Sequence, residues 1–327
     1  MVMWSSKIAR RVAAALVSAA WIAAALAQAQ PTGEDELVVA SFANNRVQFF
    51  ARGGNGNLAP TRSIGGTATL LNQPNGVAVS TTELFVGNHA GQSILVFPRD
   101  ADGNVAPTRV IAGSNTGLGL VTHLRVFGDE LFVASYGAPF RVFDTSAGGN
   151  VAPKRVLTAM TGAYGVAIQG AELFLSRHPD TGDNTIYVYA YTADGADPPL
   201  RTIQGQFVNF PSGLALTPGE LVVSDYFNNV VRVFDRNASG ATAALRVFHD
   251  SGGLFDPVDA WYRDGEIYVA ARASNSVRVY PISADGSVSA LRAIAGVATG
   301  LDNPLGLVDT GPPALPARLF ADGFEGP

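Results

Sequence analysis

An all-β ring of six four-stranded blades, a β-propeller, is the fold class this sequence predicts, and three observations predict it. One phrase is written six times: GNLAPTRSIGG from residue 56, GNVAPTRVIAG from 103, GNVAPKRVLTA from 149, GADPPLRTIQG from 195, GATAALRVFHD from 240 and GSVSALRAIAG from 286. Its glycines lie 47, 46, 46, 45 and 46 residues apart, and each is followed six residues later by an arginine: Arg62, Arg109, Arg155, Arg201, Arg246 and Arg292. A second series, a glutamate opening an apolar run, interleaves with the first without a slip: Glu36, Glu83, Glu130, Glu172, Glu220 and Glu266. Finally, nothing beyond the first thirty residues combines helical length with a 3.6-residue period. A period in the mid-forties that carries four strands is a propeller blade, and six periods make the ring.

Within each unit the four segments follow in a fixed order. The first reads Pro-x-Gly-apolar, as in Pro74-Asn75-Gly76-Val77, Pro211-Ser212-Gly213-Leu214 and, loosely, Pro257-Val258-Asp259-Ala260. The second is the glutamate-led run, and the third ends on an aromatic such as Phe97, Phe143, Tyr189, Phe234 or Tyr280. The fourth is the repeated phrase. Short runs rich in Val, Leu, Ile and Phe, punctuated by Gly and Asp, are strands. The chain enters the first unit at its second strand, whereas an orphan Pro304-Leu305-Gly306-Leu307-Val308-Asp309 follows the last. That segment is therefore expected to supply the innermost strand of the first blade and to close the ring, so that no radial edge is left unpaired.

Composition limits what such a ring does. Lys7, Arg10 and Arg11 precede an apolar run from Val12 to Ala27 that ends in Ala27-Gln28-Ala29, the order of a secretory signal peptide cleaved after Ala29. Without those three cations the mature chain carries 22 − 3 = 19 Lys+Arg against 27 Asp+Glu, a net charge of −8. Nothing in that balance courts nucleic acid or anionic lipid. No cysteine occurs, so an exported chain of this length must stand on a large core instead of disulfides. The expected organisation is residues 1–29 signal peptide, 30–310 propeller and 311–327 a Pro-rich linker with a short tail, in a monomer that does not insert into the membrane after cleavage. The tail, Leu319-Phe320-Ala321-Asp322-Gly323-Phe324-Glu325, looks like a short terminal tag of some exported proteobacterial proteins.

From Pro211-Ser212-Gly213-Leu214-Ala215-Leu216 through Glu220-Leu221-Val222-Val223-Ser224-Asp225-Tyr226-Phe227-Asn228-Asn229 to Arg232-Val233-Phe234-Asp235, the fifth unit resembles an NHL repeat. The other five are similar but looser, and the resemblance spans about residues 34 to 310. It implies a six-bladed propeller. It does not imply one function, because NHL-like rings include enzymes, protein-binding platforms and RNA-binding modules.

The loops separate the two faces of the ring. Turns from first to second strand and from third to fourth are short and marked by Gly and Asp. Those from second to third strand, and the crossovers between blades, are longer and irregular, as in Asn88 to Gln92, Arg177 to Asn184 and His249 to Asp256. Sites are usually built on such loops, so the crossover face around the channel mouth is the candidate. Six residues after each landmark glutamate, where the second strand reaches that face, stand Phe42, His89, Tyr136, His178, Tyr226 and Arg272, aromatic or cationic in every blade. They are the candidate ligand-binding ring. The six arginines of the phrase are expected instead to cap strand ends or to pair with a carboxylate of a neighbouring blade.

A metal site is the alternative. His89, His123 and His178 fall in one sector of the crossover face, and three imidazoles would suit zinc with an open fourth position; Asp225 and Asp259, with Asn88, would suit calcium. Either would make the chain a metal-dependent hydrolase or lyase, lactonase-like or amidating-lyase-like. The Glu-Gly-Pro motif of gluconolactonase-type rings is missing, with Gln73-Pro74, Phe210-Pro211, Asp256-Pro257 and Asn303-Pro304 in its places. No nucleophile elbow or phosphate loop is present either. The Asp100-Ala101-Asp102-Gly103-Asn104 stretch reads as a turn, since only its glycine recurs in the other units. The expectation is a binding or scaffold module without a resident cofactor, its partner a protein, peptide or glycan.

Overall fold

The structure is a computed structural model that describes residues 36–177, 184–205 and 208–311. The expected signal peptide, all but the first residue of the C-terminal tail, and His178 lie outside the described residues. The described residues form six sheets. From the innermost strand outward, blade one comprises Pro304–Asp309, Glu36–Ser41, Arg46–Ala51 and Arg62–Gly65, and blade two Pro74–Val79, Glu83–Asn88, Ser93–Pro98 and Arg109–Ile111. Blade three comprises Leu120–Phe127, Glu130–Tyr136, Pro139–Asp144 and Arg155–Thr161, and blade four Ala163–Gln169, Glu172–Arg177, Thr185–Ala190 and Arg201–Gly205. Blade five comprises Pro211–Leu216, Glu220–Asp225, Val230–Asp235 and Arg246–His249, and blade six Pro257–Arg263, Glu266–Ala271, Ser276–Pro281 and Arg292–Ala295. Among the described residues the only helical pieces are single 3-10 turns.

Closure follows the sequence expectation. Leu307 pairs with Val39 and Asp309 with Leu37, which places the last strand inside the first blade. Glu36 and Thr310 lock its end, the Glu36 amide donating to Thr310 Oγ1 at 3.0 Å and the Thr310 amide to the Glu36 carbonyl at 2.8 Å.

Because each sheet is radial, its two faces meet different neighbours, and the core divides into six clusters, one at each blade junction. The aromatic that ends each third strand, Phe50, Phe97, Phe143, Tyr189, Phe234 or Tyr280, is no more than 1% exposed. Burying such a ring is worth about 1.5 to 3 kcal/mol, so one residue per repeat secures one junction.

The repeated phrase acts twice at the outer edge. Its glycine makes a parallel bridge to the outermost strand of the preceding blade: Gly103 to Ile64, Gly149 to Ile111, Gly195 to Leu157, Gly240 to Ile203, Gly286 to Phe248, and Gly56 to Ile294 across the closure. All six glycines have φ between 57° and 84°, a region costly for any residue with a Cβ. The arginine clasps the landmark glutamate: Arg62–Glu36, Arg109–Glu83 and Arg246–Glu220 at 2.6 Å, Arg155–Glu130 and Arg292–Glu266 at 2.5 Å, and Arg201–Glu172 likewise. This corrects the expectation of a carboxylate from a neighbouring blade, because both partners belong to one blade. What the arginine takes from the next blade is a main-chain carbonyl, Ala101 for Arg62, Tyr191 for Arg155 and Ile282 for Arg246. A guanidinium has five donors in a fixed fork and serves both at once.

Candidate functional site

The centre of the ring is built on one level of the innermost strands, the third residue in five blades and the fourth in blade three, occupied in blade order by Gly306, Gly76, His123, Gly165, Gly213 and Asp259. The glycines let adjacent strands nearly touch: a Cβ on Gly76 would lie 2.7 Å from the His123 Cα, and one on Gly213 2.4 Å from the Asp259 Cα. The two exceptions stand in blades three and six, opposite each other, and their side chains meet, His123 Nε2 to Asp259 Oδ1 at 3.0 Å. His123 is 4% and Asp259 1% exposed, so the channel is closed at this level.

Two positions further along the same strands, Arg125 and Trp261 meet in the same way, the guanidinium 5.1 Å from the indole centroid, where the other four blades carry Ala78, Ala167, Ala215 and Val308. Arg125 also lies 3.6 Å from Asp259. Burial works to raise the Asp259 carboxyl, but His123, Arg125 and the Leu307 amide, which donates to Oδ2 at 2.8 Å, hold it below its ordinary value. Burial and the nearby Arg125 lower His123 against the opposing pull of Asp259. The ring is therefore neutral, donating from Nε2 to a carboxylate whose countercharge is Arg125.

Above this crossbar, on the crossover side, Tyr164 of blade four bonds to Asn75 of blade two, and burial foremost pushes its phenol up to about 12. Phe210 packs edge-on against Tyr164 and Tyr226, with centroids 4.9 and 5.5 Å away. The Tyr226 hydroxyl donates to Asp256 Oδ2 at 3.2 Å, Arg272 reaches the same oxygen at 3.1 Å, and the Arg272 guanidinium lies 5.2 Å from the Tyr226 ring centroid.

The predicted ring divides into two halves. Tyr226 and Arg272 come together on Asp256. In blades one and two Phe42 and His89 pack edge to face at 5.8 Å, and His89 Nδ1 meets the Val121 carbonyl at 3.1 Å. Tyr136 is half-buried at the end of its strand. Of the predicted metal set, His123 and Asp259 bond each other, His89 meets that carbonyl, buried Asp225 accepts from Arg232 at 2.6 Å and Asn228 at 2.8 Å, and His178 lies outside the described residues. Asn88 likewise holds its own crossover, accepting from the Asn72 amide at 2.6 Å and donating to Ser93 Oγ at 3.1 Å. Among the described residues no group of three His, Cys, Asp or Glu is gathered to hold a metal ion.

Sequence reasoning missed Tyr164, Asn75, Arg125, Trp261 and Asp256. The signal for the crossbar was present, since units three and six place His123 and Asp259 where the others place glycine. No spacing signal announces Tyr164 or Asp256, whose partners come from other blades.

No family model matches the chain, and no curated protein matches it. Solved structures do. The crystal structure of the WD40 β-propeller domain of Doa1 aligns with a TM-score of 0.56 at 14% identity over 81% of each chain. A chain of the nidogen/laminin complex aligns with a TM-score of 0.59 at 14% identity over 83% of this chain and 97% of its own. A functionally unknown protein from Desulfotomaculum acetoxidans DSM 771 aligns with a TM-score of 0.54 at 13% identity over 80% of each. At such identities the likeness is one of fold, and its six closed blades make the chain a six-bladed β-propeller.

Proposed function

We propose that this protein is an exported, NHL-like binding propeller that recognises its partner on the crossover face, around the closed mouth of the channel. The observation that carries the reading is the convergence of Tyr226, Arg272 and Asp256 at that mouth, an aromatic ring, a cation and an anion drawn from blades five and six and the loop between them. Aromatics and arginine are the side chains that most often anchor recognition, because each brings a large flat contact area with a directed polar end. Below them the centre of the ring is spent on holding itself shut. The Lys7, Arg10, Arg11 and Ala27-Gln28-Ala29 pattern supports export, and the nidogen/laminin structure is an instance of this architecture within a protein complex.

The test presents the mature chain to a displayed random-peptide library and to a panel of neutral oligosaccharides. Binding of either class is expected to weaken by about tenfold in Tyr136→Ala, Tyr226→Ala or Arg272→Ala and to persist in Arg109→Ala and Arg155→Ala. The reverse order would refute the choice of face. Stoichiometric metal in the purified chain, lost together with activity on an ester or lactone in the presence of a chelator, would replace this reading with a hydrolytic one.

A further inference from the structure

We propose that the crossover-face mouth takes a neutral saccharide chain, laid across blades five and six rather than inserted into the ring. The inference rests on the binding role proposed above and names its ligand class.

The shape of the mouth excludes insertion. Tyr164, tied to Asn75, lies across it, and directly beneath, His123 and Asp259 are almost wholly out of reach of solvent. A ligand on this face therefore lies flat.

Charge argues for neutrality. The Arg272 guanidinium is matched by Asp256 at 3.1 Å, and Arg125 below by Asp259, while the whole chain carries −5. On blades five and six an anionic polymer finds no surplus of positive charge, because Arg232, Arg272 and Arg278 are each paired with an aspartate. What the Arg272–Asp256 pair offers is a row of donors beside an acceptor, with the Tyr226 hydroxyl on the same carboxylate oxygen. That is the complement of adjacent sugar hydroxyls, each both donor and acceptor, and a planar guanidinium suits such paired recognition.

The third requirement is a flat apolar face for the C–H side of a sugar ring. Among the described residues the two strongly exposed phenylalanines are Phe227, at 54%, and Phe255, at 45%. Phe227 directly follows Tyr226, and Phe255 directly precedes Asp256, so the two rings flank the polar pair in sequence. The Phe227 amide is held by the Asn209 carbonyl and the Ala273 amide by the Phe255 carbonyl, which fixes both backbones at this mouth. Aromatic side chains beside a few placed polar groups are how such ligands are oriented.

Titration calorimetry on the mature chain with cellohexaose, laminarihexaose and chitohexaose tests this, with an alginate hexamer as the anionic probe. At least one neutral hexaose is expected to bind, the alginate hexamer more weakly, and Phe227→Ala and Phe255→Ala each to weaken the neutral probe by about tenfold at an unchanged melting temperature. Absence of binding to every neutral hexaose, stronger binding of alginate, or neutral binding indifferent to both substitutions would overturn the proposal. A peptide bound in a Tyr226-dependent way with no hexaose bound would overturn the saccharide while leaving the crossover-face reading intact. Hexaose binding lost only in Arg109→Ala or Arg155→Ala would overturn both.

Discussion

The rim of this ring and its centre follow opposite rules. At the rim all six blades do the same thing: one glycine bridges to the blade before, and one arginine clasps one glutamate. At the centre, four blades carry glycine and two opposed blades carry His123 and Asp259, tied across the channel. The rim can be uniform because each junction there sees only its two neighbours, and six equivalent junctions have one solution. On the axis all blades meet in one small space, where six equal side chains would either collide or leave a hole. Repetition therefore builds the ring, and departure from repetition closes it.

The largest expected effect comes from undoing closure. A chain ending at Gly300 lacks Leu305, Leu307 and Val308, which are buried between the first blade and its neighbours, and the Leu307 amide that caps Asp259. It is expected to lose its cooperative melting transition, whereas a chain ending at Gly311 keeps it. A sharp transition in the shorter chain, as high as in the parent, would show that the sixth junction is dispensable.

Next comes the centre against the rim. Asp259→Ala strands Arg125 and His123 without their buried partner and is expected to cost about 3 to 5 kcal/mol, the usual consequence of removing one member of a buried ionic set. Glu130→Ala removes one of six rim clasps and leaves Arg155 its Tyr191 carbonyl and partial access to water, for about 1 to 2 kcal/mol. Equal losses in denaturant titrations would erase the distinction between the two regions.

Acid separates them by pH. Burial lowers His123 and His89 from 6.5, so the unfolded chain takes up protons first, and stability falls as pH drops below 6.5 toward the folded values. The carboxylates respond lower: Arg155, Arg201 and Arg292 hold Glu130, Glu172 and Glu266 below 4.5 at the rim, and Asp259 is held below 3.8 at the centre, so the stability these groups add is present above those values and is lost as pH falls through their depressed folded values. Melting temperature against pH is expected to show a shoulder below 6.5 that shrinks in His123→Gln and an acid limb that does not. A shoulder unchanged in that variant would mean the crossbar histidine is not its source.

The smallest effect is expected where the rim itself varies. The residue before each arginine is Thr61, Thr108 or Lys154 in blades one to three but an exposed Leu200, Leu245 or Leu291, 56 to 62% accessible, in blades four to six. Replacing the three leucines by threonine should shift stability by no more than about 0.5 kcal/mol per site. A larger loss would show that these leucines make contacts that hold the rim together.

How much of this was legible follows from the same contrast. Blade number, strand order and closure could be read because every element was written six times and a misreading of one unit is corrected by five others. The pairing of Arg62 with Glu36 was half legible: the two series were visible, but not that second and fourth strands of one sheet bring them face to face across the third. The candidate ring was legible as a level in the fold and not as a set of contacts. Equal position in each blade put Phe42, His89, Tyr136, Tyr226 and Arg272 at one height, yet only tertiary approach joins Tyr226 to Arg272 through Asp256. The histidine set was no more legible as contacts: His123 belongs to an inner strand and bonds Asp259, His89 stands at the end of a second strand and meets the Val121 carbonyl, and His178 lies outside the described residues.

The glycine bridges at the rim bear on how the chain behaves when it is incomplete. Each outermost strand is covered by the phrase of the following blade, and the last is covered by Gly56 only because the ring returns to its start. A nascent or proteolysed chain of fewer blades thus presents one bare, β-branched strand edge, the template on which strands of other molecules assemble. Completing the circle is therefore expected to protect against association through that edge. Fragments of two to five blades are expected to sediment as oligomers through that edge while the closed ring stays dispersed.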